Sequence, residues 1–125
     1  MPQFPTATHL FDVAGFEAEA AQVSALASLA TDGPATAREL LARIERAAAV
    51  AGEPILPFKH ATLYAVLHEL KFAGAIAASV WEGSEKRVYS IATRGWSWLA
   101  QAQERWRAAH LVIRAAAAPR EVATR

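Results

Sequence analysis

A cluster of cationic, imidazole and hydroxyl side chains occupies one short stretch in the middle of the chain. Its members are Lys59, His60, Thr62, Tyr64, His68 and Lys71. The ammonium group of Lys59 suits a phosphate, and the hydroxyls of Thr62 and Tyr64 can donate or accept hydrogen bonds, as the edges of bases require. The same side chains also suit a solvated surface on which Tyr64 packs against a neighbour.

A second basic site, Lys86 with Arg87, follows the turn-forming Gly83. Two adjacent cations can contact phosphates, and on a wing they would reach a minor groove or the flanking backbone. Glu82 and Glu85 weaken this patch, and a charged turn is also common for solubility alone.

Hydrophobic periodicity predicts the elements that hold these side chains. A helical stripe runs through the first cluster at Leu63, Val66, Leu67 and Leu70. Gly74 follows where a helix commonly ends, and a period of two then predicts a two-stranded ribbon with Ile76, Ala78, Val80, Tyr89 and Ile91. Thr93 is placed to cap a last helix, about Arg94 to Ala117, with its hydroxyl. Helix, ribbon and helix form the closing half of a winged helix.

Two further helices are predicted upstream. The first spans about Phe16 to Ala30, with a stripe of Phe16, Val23, Leu26 and Ala30, and stops at residues 32–34. In the second, Thr36 and Glu39 form a capping box. Its buried stripe is predicted at Leu40, Leu41, Ile44, Ala47 and Ala48. Pro54 and Pro57 stiffen the linker that follows.

The residues Thr62, Leu63, Tyr64, Leu67, Leu70 and Gly74 form the pattern T-L-Y-x-x-L-x-x-L-x-x-x-G. It is similar to the recognition-helix signature of the PadR family of transcriptional regulators. The family's wing, a basic tip before Y-x-(L/I)-T-x-x-G, resembles Lys86, Arg87, Tyr89, Ile91, Thr93 and Gly95, with a shortened interval before the glycine. The family's second helix opens with a motif G-P-x-x-x-x-E-L, which Gly33, Pro34, Glu39 and Leu40 resemble. Ala37 and Arg38 stand here in place of the usual Gly-Tyr pair of that motif. The resemblance covers about residues 20 to 110.

This resemblance implies a mainly α fold with a small β-hairpin wing, that is, a winged helix-turn-helix followed by a long C-terminal dimerisation helix. We expect an N-terminal arm at residues 1–15, a DNA-binding domain at 16–92, the dimerisation helix at 93–118 and a tail at 119–125. The implied partner is double-stranded DNA with a pseudo-palindromic operator, contacted by Lys59, His60, Thr62, Tyr64, His68, Lys71, Lys86 and Arg87. For His60 and His68, plain surface exposure is an equally open alternative.

The last predicted helix carries a heptad-spaced apolar seam. The seam residues are Leu99, Ala102, Trp106, Ala109, Ile113 and Ala116. Such spacing keeps one side of a helix facing a partner helix, which favours a homodimer. The resemblance implies that the seam also packs on the first helix of the other subunit; the alternative is packing on the first helix of the same chain.

Trp96 and Trp98 precede this seam and point in different directions, because they are two residues apart on a helix. Some short members of the resembled family bind flat aromatic compounds between tryptophans at the dimer interface. A small aromatic effector is therefore an expected partner, with aromatic packing as the alternative.

Composition limits the other classes of function. A chain of 125 residues with 54% apolar composition fits one domain, and the absence of cysteine excludes disulfides and thiol chemistry. The four histidines, His9, His60, His68 and His110, lack paired metal-ligand spacing, and no nucleophile or phosphate-loop motif occurs. We expect no enzyme activity, no metal and no cofactor.

Charge is unevenly distributed, with a net −4 in residues 1–58, +1 in residues 59–104 and +4 in residues 105–125. This pattern fits a protein that offers part of its surface to phosphate.

No apolar run long enough for a membrane span and no signal peptide is seen, so a cytoplasmic location is expected. The leading hypothesis is a sequence-specific DNA-binding repressor; the alternatives are a winged-helix adaptor that binds protein and a small-molecule sensor.

Overall fold

The computed structural model describes residues 13–52, 56–80, 83 and 85–118. They form four helices and one hairpin: α1 (Val13–Asp32), α2 (Ala37–Val50), α3 (His60–Phe72), β1 (Ile76–Val80), β2 (Arg87–Ile91) and α4 (Thr93–Ala117). This order confirms the predicted mainly α fold with a two-stranded wing, a winged helix-turn-helix. The predicted stiffening at Pro54, the contribution of Glu82 and most of the arm and tail lie outside the described residues.

The core forms where α1, α2 and α3 meet. The predicted stripe of α3 is confirmed, since Leu63, Val66, Leu67 and Leu70 are all buried. From α2, Leu40 and Ile44 are buried, whereas Ala47 is exposed, so the buried stripe is shorter than predicted. Phe58, just before α3, closes the core from the linker side.

The face of α1 differs from the prediction. Its core residues are Ala20, Ala21, Ala25, Leu26 and Leu29, whereas Phe16 is half-exposed. Small alanines allow a neighbouring helix to approach closely, and α1 packs extensively on α3. The prediction was wrong at Phe16 because it gave more weight to bulky residues than to alanines. The helix is also longer than predicted at both ends.

The wing is a regular antiparallel pair in which Ile76 faces Ile91 and Ala78 faces Tyr89. Ala35, in the loop before α2, pairs with Tyr89 through two backbone hydrogen bonds: the Ala35 amide donates at 3.0 Å and the Tyr89 amide at 2.8 Å. The loop therefore lies against the wing like a third strand. This bridge fixes the start of α2 relative to β2.

The start of α4 packs on the turn that follows α3. Gly74 adopts a positive φ of 81° and ends α3 as predicted, because a left-handed residue commonly closes a helix. The predicted capping role of Thr93 was wrong: the cap residue is Ala92, and no side chain caps α4. Instead, the Ala92 amide donates to the Ala75 carbonyl at 3.0 Å, and Arg94 Nη1 donates to the Ala73 carbonyl at 2.8 Å.

The two halves of α4 have different surroundings. Leu99 and Ala102 are buried on α1 of the same chain, and the ring of Trp106 lies 5.5 Å from that of Phe16. Intramolecular packing, the alternative for the seam, therefore holds for its first half. Beyond Trp106 every described residue is exposed, including Ala109 and Ile113. Among the described residues, no helix is long and apolar enough to cross a membrane.

Gly95 should be the least replaceable residue at the junction of α3, β1 and α4. A Cβ atom there would overlap the Ala75 carbonyl oxygen and lie 2.8 Å from Cγ1 of Ile91. We predict that Gly95→Ala lowers the free energy of unfolding by about 3 kcal/mol, because backbone must move to relieve the overlap. Urea unfolding would measure this. Ser97→Ala, at an exposed position of the same helix, should change stability by less than about 0.5 kcal/mol. A similarly small effect at Gly95 would contradict the packing described for this junction.

Candidate nucleic-acid interface

The outward face of α3 carries most of the side chains that the sequence singled out. His60, Tyr64, His68 and Lys71 are exposed, and Thr62 is half-buried. Lys59 is the exposed cap residue of α3 and makes no side-chain capping bond. The core stripe of α3 turns these groups away from the interior, so the helix presents a polar face that could enter a groove.

One polar side-chain contact links this face to α2. Nε2 of His60 lies 3.5 Å from Oε2 of Glu45, and both side chains are at least half exposed. The pair is weak because solvent screens it. It nevertheless places a carboxylate beside the first turn of α3, a feature that the sequence pattern did not predict.

A cleft of about 820 Å³ opens between the start of α2 and the wing. Its lining residues are Pro34, Thr36, Ala37, Arg38, Glu39, Tyr64, Lys86, Arg87, Val88 and Tyr89. The fold therefore brings together Tyr64, Lys86 and Arg87, which come from two separate clusters in the sequence. The other predicted contacts, Lys59, His60, Thr62, His68 and Lys71, do not line this cleft.

The α2 wall of the cleft is held by the predicted capping box, which is confirmed. The Glu39 amide donates to Oγ1 of Thr36 at 3.2 Å, and the Thr36 amide donates to Oε1 of Glu39 at 2.9 Å. The backbone and side-chain hydrogen bonds with Thr36, and then the positive charges of Arg43 and Lys86, lower the pKa of Glu39. Arg43 also donates to the carbonyls of Gly33 and Pro34, at 2.7 and 3.1 Å. These bonds fix the loop that forms one rim of the cleft.

Arg38 is the one cation among the cleft-lining residues that sequence reasoning did not assign to the site. It is exposed in the first turn of α2 and shares the cleft with Lys86 and Arg87. The signal that could have found it was its position two residues after the capping Thr36, on the side opposite the buried Leu40 stripe. Three cations thus line the cleft together with one carboxylate, Glu39, which already accepts a hydrogen bond from Thr36.

The two tryptophans predicted to bind a ligand do not line the cleft between α2 and the wing. Trp96 is 51% and Trp98 38% exposed. Trp98 lines a groove of about 220 Å³ between α1 and α4, bordered by the ion pair of Glu19 with Arg105. Trp96 is not among the residues that line this groove. The single chain therefore does not place both indoles in one cavity.

Comparison with known proteins supports the fold. No protein-family model matches the chain, and no curated protein matches its sequence. The chain is similar to the structure of a transcriptional regulator from Clostridium thermocellum, with a TM-score of 0.65 and 20% identity over 92% of this chain and 100% of that one. A transcriptional regulator from Thermotoga maritima matches less well, with a TM-score of 0.48 and 14% identity over 92% of this chain and 80% of that one. The Clostridium structure confirms a winged-helix fold of the kind found in a transcriptional regulator. At 20% sequence identity, the similarity concerns the fold alone.

The capping box should contribute measurably to the stability of the α2 wall. Thr36→Ala removes the hydroxyl that accepts from the Glu39 amide, and should lower the free energy of unfolding by about 1 kcal/mol at neutral pH. Thr93→Ala is the matched control, because Thr93 lies at the start of α4 without capping it. Chemical unfolding of both variants should show a loss only at Thr36. Equal losses would contradict the assignment.

Glu39→Gln, which replaces the ionisable carboxyl of the capping box by an amide, tests the linkage to pH. The pKa of Glu39 is lower in the folded state, so the stability it contributes is present above the ordinary glutamate pKa of about 4.3 and is lost as the pH falls through the folded value. The stability difference between wild type and Glu39→Gln should therefore shrink on acidification below about pH 4. A difference that grows towards low pH would contradict this direction.

Proposed function

We propose that this protein is a sequence-specific DNA-binding transcriptional regulator, a PadR-like homodimeric repressor. The observation that carries the proposal is the single surface on which the outward face of α3 adjoins the cationic cleft of the wing. Tyr64 belongs to both, since it projects from α3 and lines the cleft. One side of the molecule thus combines groups suited to base edges with groups suited to phosphates.

The geometry suits a helix in the major groove with the wing beside it. An α-helix fits that groove, where hydroxyl and imidazole groups such as those of Thr62, Tyr64 and His68 can form hydrogen bonds with bases. Lys59 and Lys71 stand near the two ends of α3, where cations would meet phosphates on either side of the groove. Lys86 and Arg87 would meet the backbone at the wing.

Dimerisation would supply the second half-site. The described part of α4 beyond Trp106 is exposed, and it leaves the predicted seam residues Ala109 and Ile113 uncovered. A helix that leaves its own domain with apolar residues uncovered suits pairing with a second copy. Two copies would place two α3 helices on a pseudo-palindromic operator, and occupation of a promoter would block transcription.

An effector would act through the same helix. Trp96 and Trp98 expose aromatic surface on α4 before its apolar segment, and a flat aromatic compound could stack there in a dimer. Saturable quenching of tryptophan emission by planar aromatic dyes would support this part of the proposal, and its absence would remove the effector without affecting DNA binding.

The deciding experiment selects genomic fragments with the purified protein at about 150 mM salt and then titrates the best duplex against an unrelated one. Enrichment of a two-fold symmetric motif, bound at least about a hundredfold tighter than the unrelated duplex, would support a specific regulator. Weak and equal binding to both duplexes would instead favour the adaptor that binds protein.

The wing cations should contribute to affinity without reading sequence. Replacing Lys86 and Arg87 together by alanine should weaken binding to the selected and unrelated duplexes by similar factors, and reduce the slope of log affinity against log salt by about 2, one per lost phosphate contact. The charge-conserving exchange Lys86→Arg with Arg87→Lys should keep the slope. Fluorescence anisotropy at several salt concentrations measures both quantities. An unchanged slope in the double alanine variant would remove the wing from the interface.

The distal half of α4 should control assembly. Ile113→Glu places a charge on the predicted seam, and burying it in a dimer should raise the dimer dissociation constant by about a hundredfold or more. Leu111→Glu makes the same kind of change two residues earlier, on the opposite side of the helix, and should have little effect. Sedimentation equilibrium distinguishes the two. Loss of dimer in both variants, or in neither, would contradict the seam.

A further inference from the structure

We propose that Arg38 is a DNA phosphate ligand, and that it holds the sugar-phosphate backbone of one strand in the cleft between α2 and the wing. The proposal deepens the proposed function and rests on it. It adds a contact from α2 to those expected from α3 and the wing. Binding would then engage three separate segments of the fold at once.

The hydrogen bonds of the described arginines divide them into two groups, and Arg38 belongs to the group without a partner. Arg43, five residues later on α2, donates to two loop carbonyls, and Arg94 donates to the end of α3. Arg105 and Arg107 pair with glutamates. Arg38, like Arg46, Arg87 and Arg114, has no hydrogen bond or ion pair with any residue that the structure describes. Of these four arginines, only Arg38 and Arg87 line the cleft. The guanidinium of Arg38 is thus available to a ligand, and its planar donor set matches two phosphate oxygens.

The two walls of the cleft are held in place before any ligand arrives. The Ala35–Tyr89 bridge joins the loop before α2 to the strand that carries Arg87 and Val88. The carbonyl bonds of Arg43 hold the residues at the rim, Gly33 and Pro34. A ligand in the cleft therefore would not have to order these segments, which lowers the entropic cost of binding.

The lining matches a nucleic-acid backbone better than it matches a small anion. Cations of Arg38, Lys86 and Arg87 suit phosphates. The rest of the lining is largely apolar. It is formed by Pro34, Ala37 and Val88 and by the rings of Tyr64 and Tyr89. Sugar carbons would lie against such walls. A volume of about 820 Å³ is far larger than one phosphate needs and fits a stretch of backbone that continues out of the cleft.

Glu39 does not oppose this assignment. Its carboxylate lies in the cleft, but Oε1 accepts from the Thr36 amide, and the charges of Arg43 and Lys86 act on the same group. Three cations with one compensated carboxylate leave the cleft attractive to an anion. Tyr64 at the cleft edge links the backbone contact to the groove-reading face of α3.

The test compares Arg38→Ala with Arg46→Ala in the full chain. Arg46 is an exposed arginine on the same helix that does not line the cleft, so the two variants lose the same charge. Binding is measured by fluorescence anisotropy to the selected duplex and to a random duplex of about 30 base pairs, roughly three helical turns, at several salt concentrations. Thermal unfolding checks that both variants remain folded.

We expect Arg38→Ala to weaken binding to both duplexes by about tenfold and to reduce the salt slope by about 1, with Arg46→Ala close to wild type. Arg38→Lys should recover the slope because it keeps the charge. If wild type binds DNA as expected but Arg38→Ala and Arg46→Ala both change affinity and salt slope only slightly, the role of Arg38 is overturned. The proposed function is not affected by that outcome. Absence of salt-dependent DNA binding by the wild type would overturn the proposed function as well.

Discussion

Two backbone hydrogen bonds between Ala35 and Tyr89 join the loop before α2 to the second strand of the wing. Without them, α2 and the hairpin would be connected mainly through the core beneath α3. With them, the cationic residues of the wing and the first turn of α2 face each other across a cleft of defined width. Because the bonds are backbone to backbone, they do not depend on which side chains line the cleft. The cleft residues could therefore vary while the geometry is maintained.

A second constraint fixes the wing from the opposite end. Strand β1 begins directly after the turn that ends α3, and a single residue, Ala92, separates the end of β2 from the start of α4. The carbonyls of Ala73 and Ala75 accept hydrogen bonds from the start of α4, and Gly95 allows the helix to lie against this turn. Helix α3, the wing and α4 therefore meet at one junction. Displacing any of them would break bonds to the other two.

Much of the fold could be predicted from the sequence, because its strongest patterns are local. The stripe of α3, the capping box of α2 and the alternation of the hairpin each follow from the spacing of a few neighbouring residues. One error was local, since the cap of α4 is Ala92 and not Thr93. The errors at Phe16 and Arg38 occurred where tertiary contact decides. Phe16 was expected in the core, but alanines allow α1 to pack closely on α3 and leave the ring beside Trp106. Arg38 was not assigned to the site because its relation to the wing depends on the distant pairing of Ala35 with Tyr89.

The division of α4 has consequences for any assembly of this chain. Its first half belongs to the core through Leu99 and Ala102, and its second half, about 16 Å of helix after Trp106, extends away from the core. A helix that is anchored at one end and uncovered at the other acts as a rigid arm, since a continuous helix has no hinge. In a dimer built on the uncovered half, the distance between the two α3 helices would be set by the junction at Gly95. In such a dimer, a small change in the tilt of α4, such as an aromatic ligand against Trp98 would produce, would move the two α3 helices relative to each other.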